Sequence, residues 1–139
     1  MYGEAEDVLD ALTPVCLLSK LRWLTLTCRY PDENENQLDL ATLQPLSALE
    51  HLQCCSWARV ELRGGRPLPQ LTSLYLQNGG HYDLDAQLPS LQYLSVNDGV
   101  TQLGGEHLQL PCLSKLRLVY TDTAVDWPAV PQLADLTVE

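Results

Sequence analysis

The chain has 139 residues, enough for one domain of ordinary size, with 45% apolar residues and a formal charge of −10 from eight Lys or Arg against 18 Asp or Glu. A field of that sign repels nucleic acid and anionic membranes, and no run approaches the roughly 20 apolar residues a membrane span needs. The opening Glu4-Ala-Glu-Asp7 is acidic where a secretory leader is basic, and the five cysteines are odd in number with Cys54 beside Cys55, so reduced thiols in a cytoplasmic protein are expected.

In chain order, residues 4–12 carry good helix formers with acids in the first turn, and Pro14 stops the helix. Residues 1–17 therefore read either as an N-terminal helix covering the first repeat or as the remnant of an upstream repeat whose strand is absent. Leu12, Val15 and Leu18 are spaced as Leu40, Leu43 and Leu46 are, which supports the second reading.

From Leu18 a frame of apolar residues at positions 1, 4, 7 and 9 recurs six times, starting at 18, 46, 68, 88, 110 and 130. The spacings are 28, 22, 20, 22 and 20 residues. The apolar content is almost all leucine, with no Phe and one Met, which suits units that must each present the same shape to their neighbours. In each repeat a short strand is expected, as in Arg22-Trp-Leu-Thr-Leu-Thr-Cys28, with Leu24 and Leu26, the seventh and ninth positions, on the core face and Trp23, Thr25 and Thr27 on the solvent face. Tyr30 to Asn36 has no apolar periodicity and reads as a loop that carries a six-residue acidic insertion, 31–36. The returning halves, such as Val60-Glu-Leu62 and Tyr82-Asp-Leu84, alternate like short extended segments and are too short for a helix. Prolines directly after the first repeat leucine, as in Leu88-Pro89 and Leu110-Pro111, belong to the turn entering the strand. The last unit stops at Val138-Glu139 within its strand, so the array is expected to continue or to be covered by a partner there.

If the strands stack in register, the outward residues form three rows. The first holds Trp23, His51, Ser73, Tyr93, Lys115 and Asp135; the second Thr25, Gln53, Tyr75, Ser95, Arg117 and Thr137; the third Thr27, Cys55, Gln77, Asn97, Val119 and Glu139. Trp23, His51, Gln53, Tyr75, Tyr93, Lys115 and Arg117 are the candidate partner-binding residues, since aromatics and Arg carry most interface energy. Catalysis finds no support in the motifs. The histidines 51, 81 and 107 lack metal-site spacing, no Gly-x-Ser-x-Gly or P-loop run occurs, and Cys54-Cys55 has no second cysteine pair. A cysteine-dependent enzyme using Cys55 and His51 is the remaining catalytic reading. Asp83, Asp85, Asp122 and Asp126 read as solvated turn residues. No cofactor, metal or small-molecule substrate is expected.

The L-x-x-L-x-x-L-x-L frame resembles the leucine-rich repeat family over nearly nine-tenths of the chain. Its short units and Leu-Pro-x-Leu starts are similar to those of plant and algal intracellular members, including substrate-recognition parts of F-box proteins, and of short-repeat bacterial effectors. The resemblance implies an α/β-type repeat solenoid, a horseshoe segment over residues 18–139. Its parallel β-sheet would lie on the concave face, with short extended, 3-10 or turn segments on the convex face and little helix. It also implies a non-catalytic protein-interaction module binding through the concave sheet. A substrate-recognition fragment of a ubiquitin-ligase adaptor and a structural adaptor of a cytoskeletal or axonemal complex are alternatives, although no F-box segment precedes the repeats. The family's turn-forming Asn or Cys is replaced by Arg29, Trp57, Gly79, Gly99 and Thr121, so less regular turns are expected.

Overall fold

A Leu-x-x-Leu step bends the chain back on itself, and this step recurs at the start of every repeat. The amide of the fourth residue donates to the carbonyl of the first, from Leu21 to Leu18, Leu49 to Leu46, Leu71 to Leu68, Leu91 to Leu88, Leu113 to Leu110 and Leu133 to Val130, at 3.0–3.3 Å. Pro69, Pro89, Pro111 and Pro131 take the second position of this turn, where a fixed φ helps and no N–H is needed. From Leu46 to Leu113 both leucines of the step are buried. The structure, a computed structural model, describes residues 2–3, 18–28, 36–64 and 67–139. The expected helix over 4–12 and the inserted loop, apart from Asn36, lie outside the described residues.

Beyond each turn the chain extends. The strands are β1 (Tyr2–Gly3), β2 (Trp23–Cys28), β3 (Gln37–Asp39), β4 (His51–Cys55), β5 (Arg59–Arg63), β6 (Ser73–Gln77), β7 (His81–Asp85), β8 (Tyr93–Leu103), β9 (Lys115–Val125) and β10 (Asp135–Val138). Every pairing is parallel. The result is a parallel β-solenoid of about five turns with almost no helix. Its helical content among the described residues is two short 3-10 segments, Leu40–Leu43 and Trp127–Ala129. Asp39 caps the first, its Oδ1 accepting from the Ala41 amide at 2.9 Å.

The first sheet runs β1-β2-β4-β6-β8-β9-β10. Along it, residues at the same repeat position face each other without slippage, as in Leu24, Leu52, Leu74, Leu94, Leu116 and Leu136. The returning halves also pair. Strands β3, β5, β7 and the second halves of β8 and β9 form a second parallel layer that stacks Leu38, Val60, Tyr82, Thr101 and Thr123. Their extended character was legible in the alternation; their ladder needed the rungs to be brought together. Leucines of both layers interlock in one continuous core.

The corner between the layers is more regular than the missing Asn or Cys implied. Residue 11 of four successive repeats, Ser56, Asn78, Asp98 and Tyr120, adopts positive φ between 49° and 62°. This left-handed residue turns the chain, and its amide continues the ladder: Ser56 donates to Gln77 O and Asn78 to Asn97 O, both at 2.9 Å. A backbone conformation thus replaces a side-chain ladder. Just beyond, Trp57 fills the interior with a ring where Gly79 and Gly99 stand in later repeats. Its indole Nε1 donates to Leu26 O at 3.3 Å. Tyr82 belongs to the same core, 2% exposed, with its hydroxyl against the backbone of Gly79.

Three of the four aspartates expected in turns lie instead in strands of the second layer: Asp83 and Asp85 in β7, Asp122 in β9. Their neighbours explain the placement. Asp83 accepts from Arg63 on the adjacent strand, and Asp85 accepts from the His107 amide at 2.8 Å. Asp126 alone precedes a turn, at the start of the second 3-10 segment.

Candidate binding face of the first sheet

The alternation that buries the leucines leaves the intervening residues of β2, β4, β6, β8, β9 and β10 on one outward face. The register sets them in the three rows read from the sequence, strand by strand. Trp23 stands at one side of the array, 56% exposed, and its ring lies 4.9 Å from that of His51 on the next strand. Tyr75 and Tyr93 meet diagonally across β6 and β8 at 5.3 Å, tilted by 51°. These are favourable geometries for aromatic pairs, so the rings are held in place before any ligand arrives.

Amides lie in the second and third rows of the same face, Gln53 beside Tyr75 and Gln77 beyond it. The Gln53 Nε2 donates to Gln77 Oε1 at 3.2 Å and reaches Cys55 Sγ at 3.5 Å. Each amide group keeps further donor or acceptor capacity for a ligand. Gln77 and Ser73 belong to this face although the sequence did not single them out; their row positions were the available signal. The Nδ1 of His51 is buried without a partner among the described residues.

At the far side Lys115 is exposed, but Arg117 is already engaged, its Nη2 3.6 Å from Glu139 Oε2. The expected pair of cations is therefore partly neutralised. The structure brings Trp23 together with His51 and Tyr75 with Tyr93, and sets Lys115 and Arg117 on the neighbouring β9, where Lys115 faces Tyr93 and Arg117 faces Ser95.

The face of the second layer is different in kind. Arg59 and Arg63 flank Glu61 at 3.5 Å and 3.9 Å, and Arg63 reaches Asp83 at 2.5 Å. Asp83 and, behind it, Glu61 push the Arg63 guanidinium above its ordinary pKa. Glu61 sits between the two arginines of its own strand, and the Arg63–Asp83 pair ties β5 to β7.

Cys55 and His51 occupy the same outward face of β4 but stand four residues apart, about 13 Å along an extended strand. The thiol touches Gln53 and Gln77, and the imidazole stacks on Trp23. Cys54 points inward and is fully buried; burial first, and Cys55 second, push its thiol pKa up, away from the nucleophilic form. Among the described residues no group of three His, Cys, Asp or Glu is placed to hold a metal ion, and no helix is long and apolar enough to cross a membrane. Hollows occur off this face, beside Pro111 and Pro128 and over Arg59 and His81. No protein-family model, curated protein or solved structure matches the chain.

Proposed function

We propose that this chain is a non-catalytic protein-interaction module of the leucine-rich-repeat kind, binding a protein partner through the first sheet as its concave face. The observation that carries the reading is the pair of ring clusters, Trp23 with His51 and Tyr75 with Tyr93, displayed on a rigid, register-locked sheet. Preformed aromatic groups on a scaffold lose little entropy on binding and supply large contact area. A broad open sheet suits a macromolecular surface better than an enclosed substrate. The separation of Cys55 from His51 weighs against the thiol-enzyme alternative.

The test is affinity capture from source-cell lysate with the purified chain beside a triple variant, Trp23→Ala, Tyr75→Ala and Tyr93→Ala, matched for thermal unfolding. A partner retained by the parent and lost by the variant supports the reading. Equal retention by both overturns it.

A further inference from the structure

Among the described residues the outward face from β2 to the first half of β8 carries no Asp, Glu, Lys or Arg, in a chain whose net charge is −10, and the first cation beyond it is Lys115, the register partner of Tyr93. Its groups are rings, amides, hydroxyls and one thiol. An ion laid across β2, β4 and β6 would shed water and meet no counter-charge among the described residues of that face. The ligand chemistry that fits is neutral, with apolar rings to stack and carbonyls to accept from amides.

The rings are also periodic. One pair sits on β2 and β4 with centroids 4.9 Å apart, the other on β6 and β8 at 5.3 Å. His51 and Tyr93 share the first row two strands apart, about 9.6 Å at the usual spacing of parallel strands, whereas Tyr75 stands one row over from Trp23, two residues further along its strand. A polyproline II helix rises about 3.1 Å per residue with three residues per turn, so residues i and i+3 on one side lie about 9.3 Å apart. It has no internal hydrogen bonds, so its carbonyls are open to donors such as the Gln53 and Gln77 amides.

We propose that this face binds an uncharged, proline-rich segment of the partner in the polyproline II conformation. The segment crosses β2, β4, β6 and β8, with prolines at i and i+3 on the two ring pairs. The assignment rests on the protein-binding reading above and deepens it.

The probe is a capped synthetic peptide of about twelve residues with proline at every third position and no ionisable side chain, a length of roughly four polyproline turns. It is titrated calorimetrically into the full chain beside a scrambled peptide that breaks the period. The expected result is saturable binding of the periodic peptide, changed less than about twofold by a tenfold rise in salt. Trp23→Ala or Tyr75→Ala should weaken it at least about tenfold, the scale of an aromatic anchor. Ser73, between His51 and Tyr93 in the first row, supplies a second probe: Ser73→Glu and Ser73→Lys should both weaken a neutral ligand, whereas a charged ligand would respond with opposite signs. Thermal unfolding of each variant shows that it is folded.

No binding of the periodic peptide, binding indifferent to Trp23 and Tyr75, or opposite responses to the two Ser73 variants overturns the proposal. So does binding of a neutral cello-oligosaccharide to the same rings in place of the peptide. If lysate capture depends on the face while the peptide fails to bind, the protein-binding reading stands and the polyproline assignment falls. If capture is also indifferent to the face, both fall.

Discussion

Replacing Gly99 by alanine adds one methyl group at a crowded corner of the solenoid. Gly99 has φ +108°, and a Cβ there would lie 2.8 Å from Gly79 O, 3.0 Å from Gly80 O and 3.1 Å from Tyr82 Cε2. Two of these atoms are backbone carbonyls, and Gly80 O is pinned by the Val100 amide at 2.8 Å, so they cannot retreat without opening the ladder. The unfavourable φ costs roughly 1–3 kcal/mol, and the overlap adds about as much again, the usual scale of overpacking. A loss of about 2–6 kcal/mol is a large share of the roughly 7–20 kcal/mol a chain of 139 residues commands. The unfolding midpoint should fall by roughly 7–20 °C. Urea denaturation followed by circular dichroism measures the loss directly. Gly64→Ala is the control: φ is +70° there, but a Cβ meets nothing within 4 Å among the described residues, so only the conformational cost of about 1–2 kcal/mol remains. Equal losses at the two positions would refute the contact argument, and a loss below about 1 kcal/mol at Gly99 would refute the corner geometry itself.

Other substitutions probe the same framework. Tyr120 is 77% exposed with φ 49°, a conformation asparagine tolerates far better, so Tyr120→Asn should raise stability by roughly 0.5–1 kcal/mol, read as a higher urea midpoint at constant m. Trp57→Phe keeps most of the ring but leaves Leu26 O without its indole donor and should cost about 1–3 kcal/mol, whereas Trp57→Ala should cost about 3–5 kcal/mol with loss of the near-ultraviolet signal. Burial pushes the pKa of both the Cys54 thiol and the Tyr82 phenol up, so each is held neutral in the fold. Raised folded values mean full stability below the unfolded pKa, near 9 for the thiol and 10 for the phenol, and progressive loss as pH rises beyond it. Cys54→Val should flatten the first part of that alkaline decline and Tyr82→Phe the second. A parent stability that stays level from about pH 8 to 11 would contradict both.

The repeat frame was the most legible feature because its physical cause is local. Positions 1 and 4 close a turn by one hydrogen bond, positions 7 and 9 point inward on a strand, and both rules operate within nine residues. The rows of the first sheet's outward face come from stacking those frames, which is why Trp23, His51, Tyr75 and Tyr93 are legible as outward residues. Their pairing into two clusters is not. It depends on rotamers and on the diagonal reach from β6 to β8, which no spacing encodes. The engagement of Arg117 is hidden for a similar reason, since Glu139 is 22 residues away in sequence and one strand away in space.

Leucine spacing, proline placement and alternation were sufficient by themselves to determine a stacked, parallel, nearly helix-free array and its inward and outward residues, because each depends on neighbouring peptide geometry. Only the tertiary structure decided that the returning segments would form a second ladder, that left-handed residues would turn the corners without a side-chain ladder, and that Trp57 and Tyr82 would fill one of them. A strand edge acquires its meaning from the rung beside it, and a corner residue adopts positive φ only when the ladders on both sides hold it there.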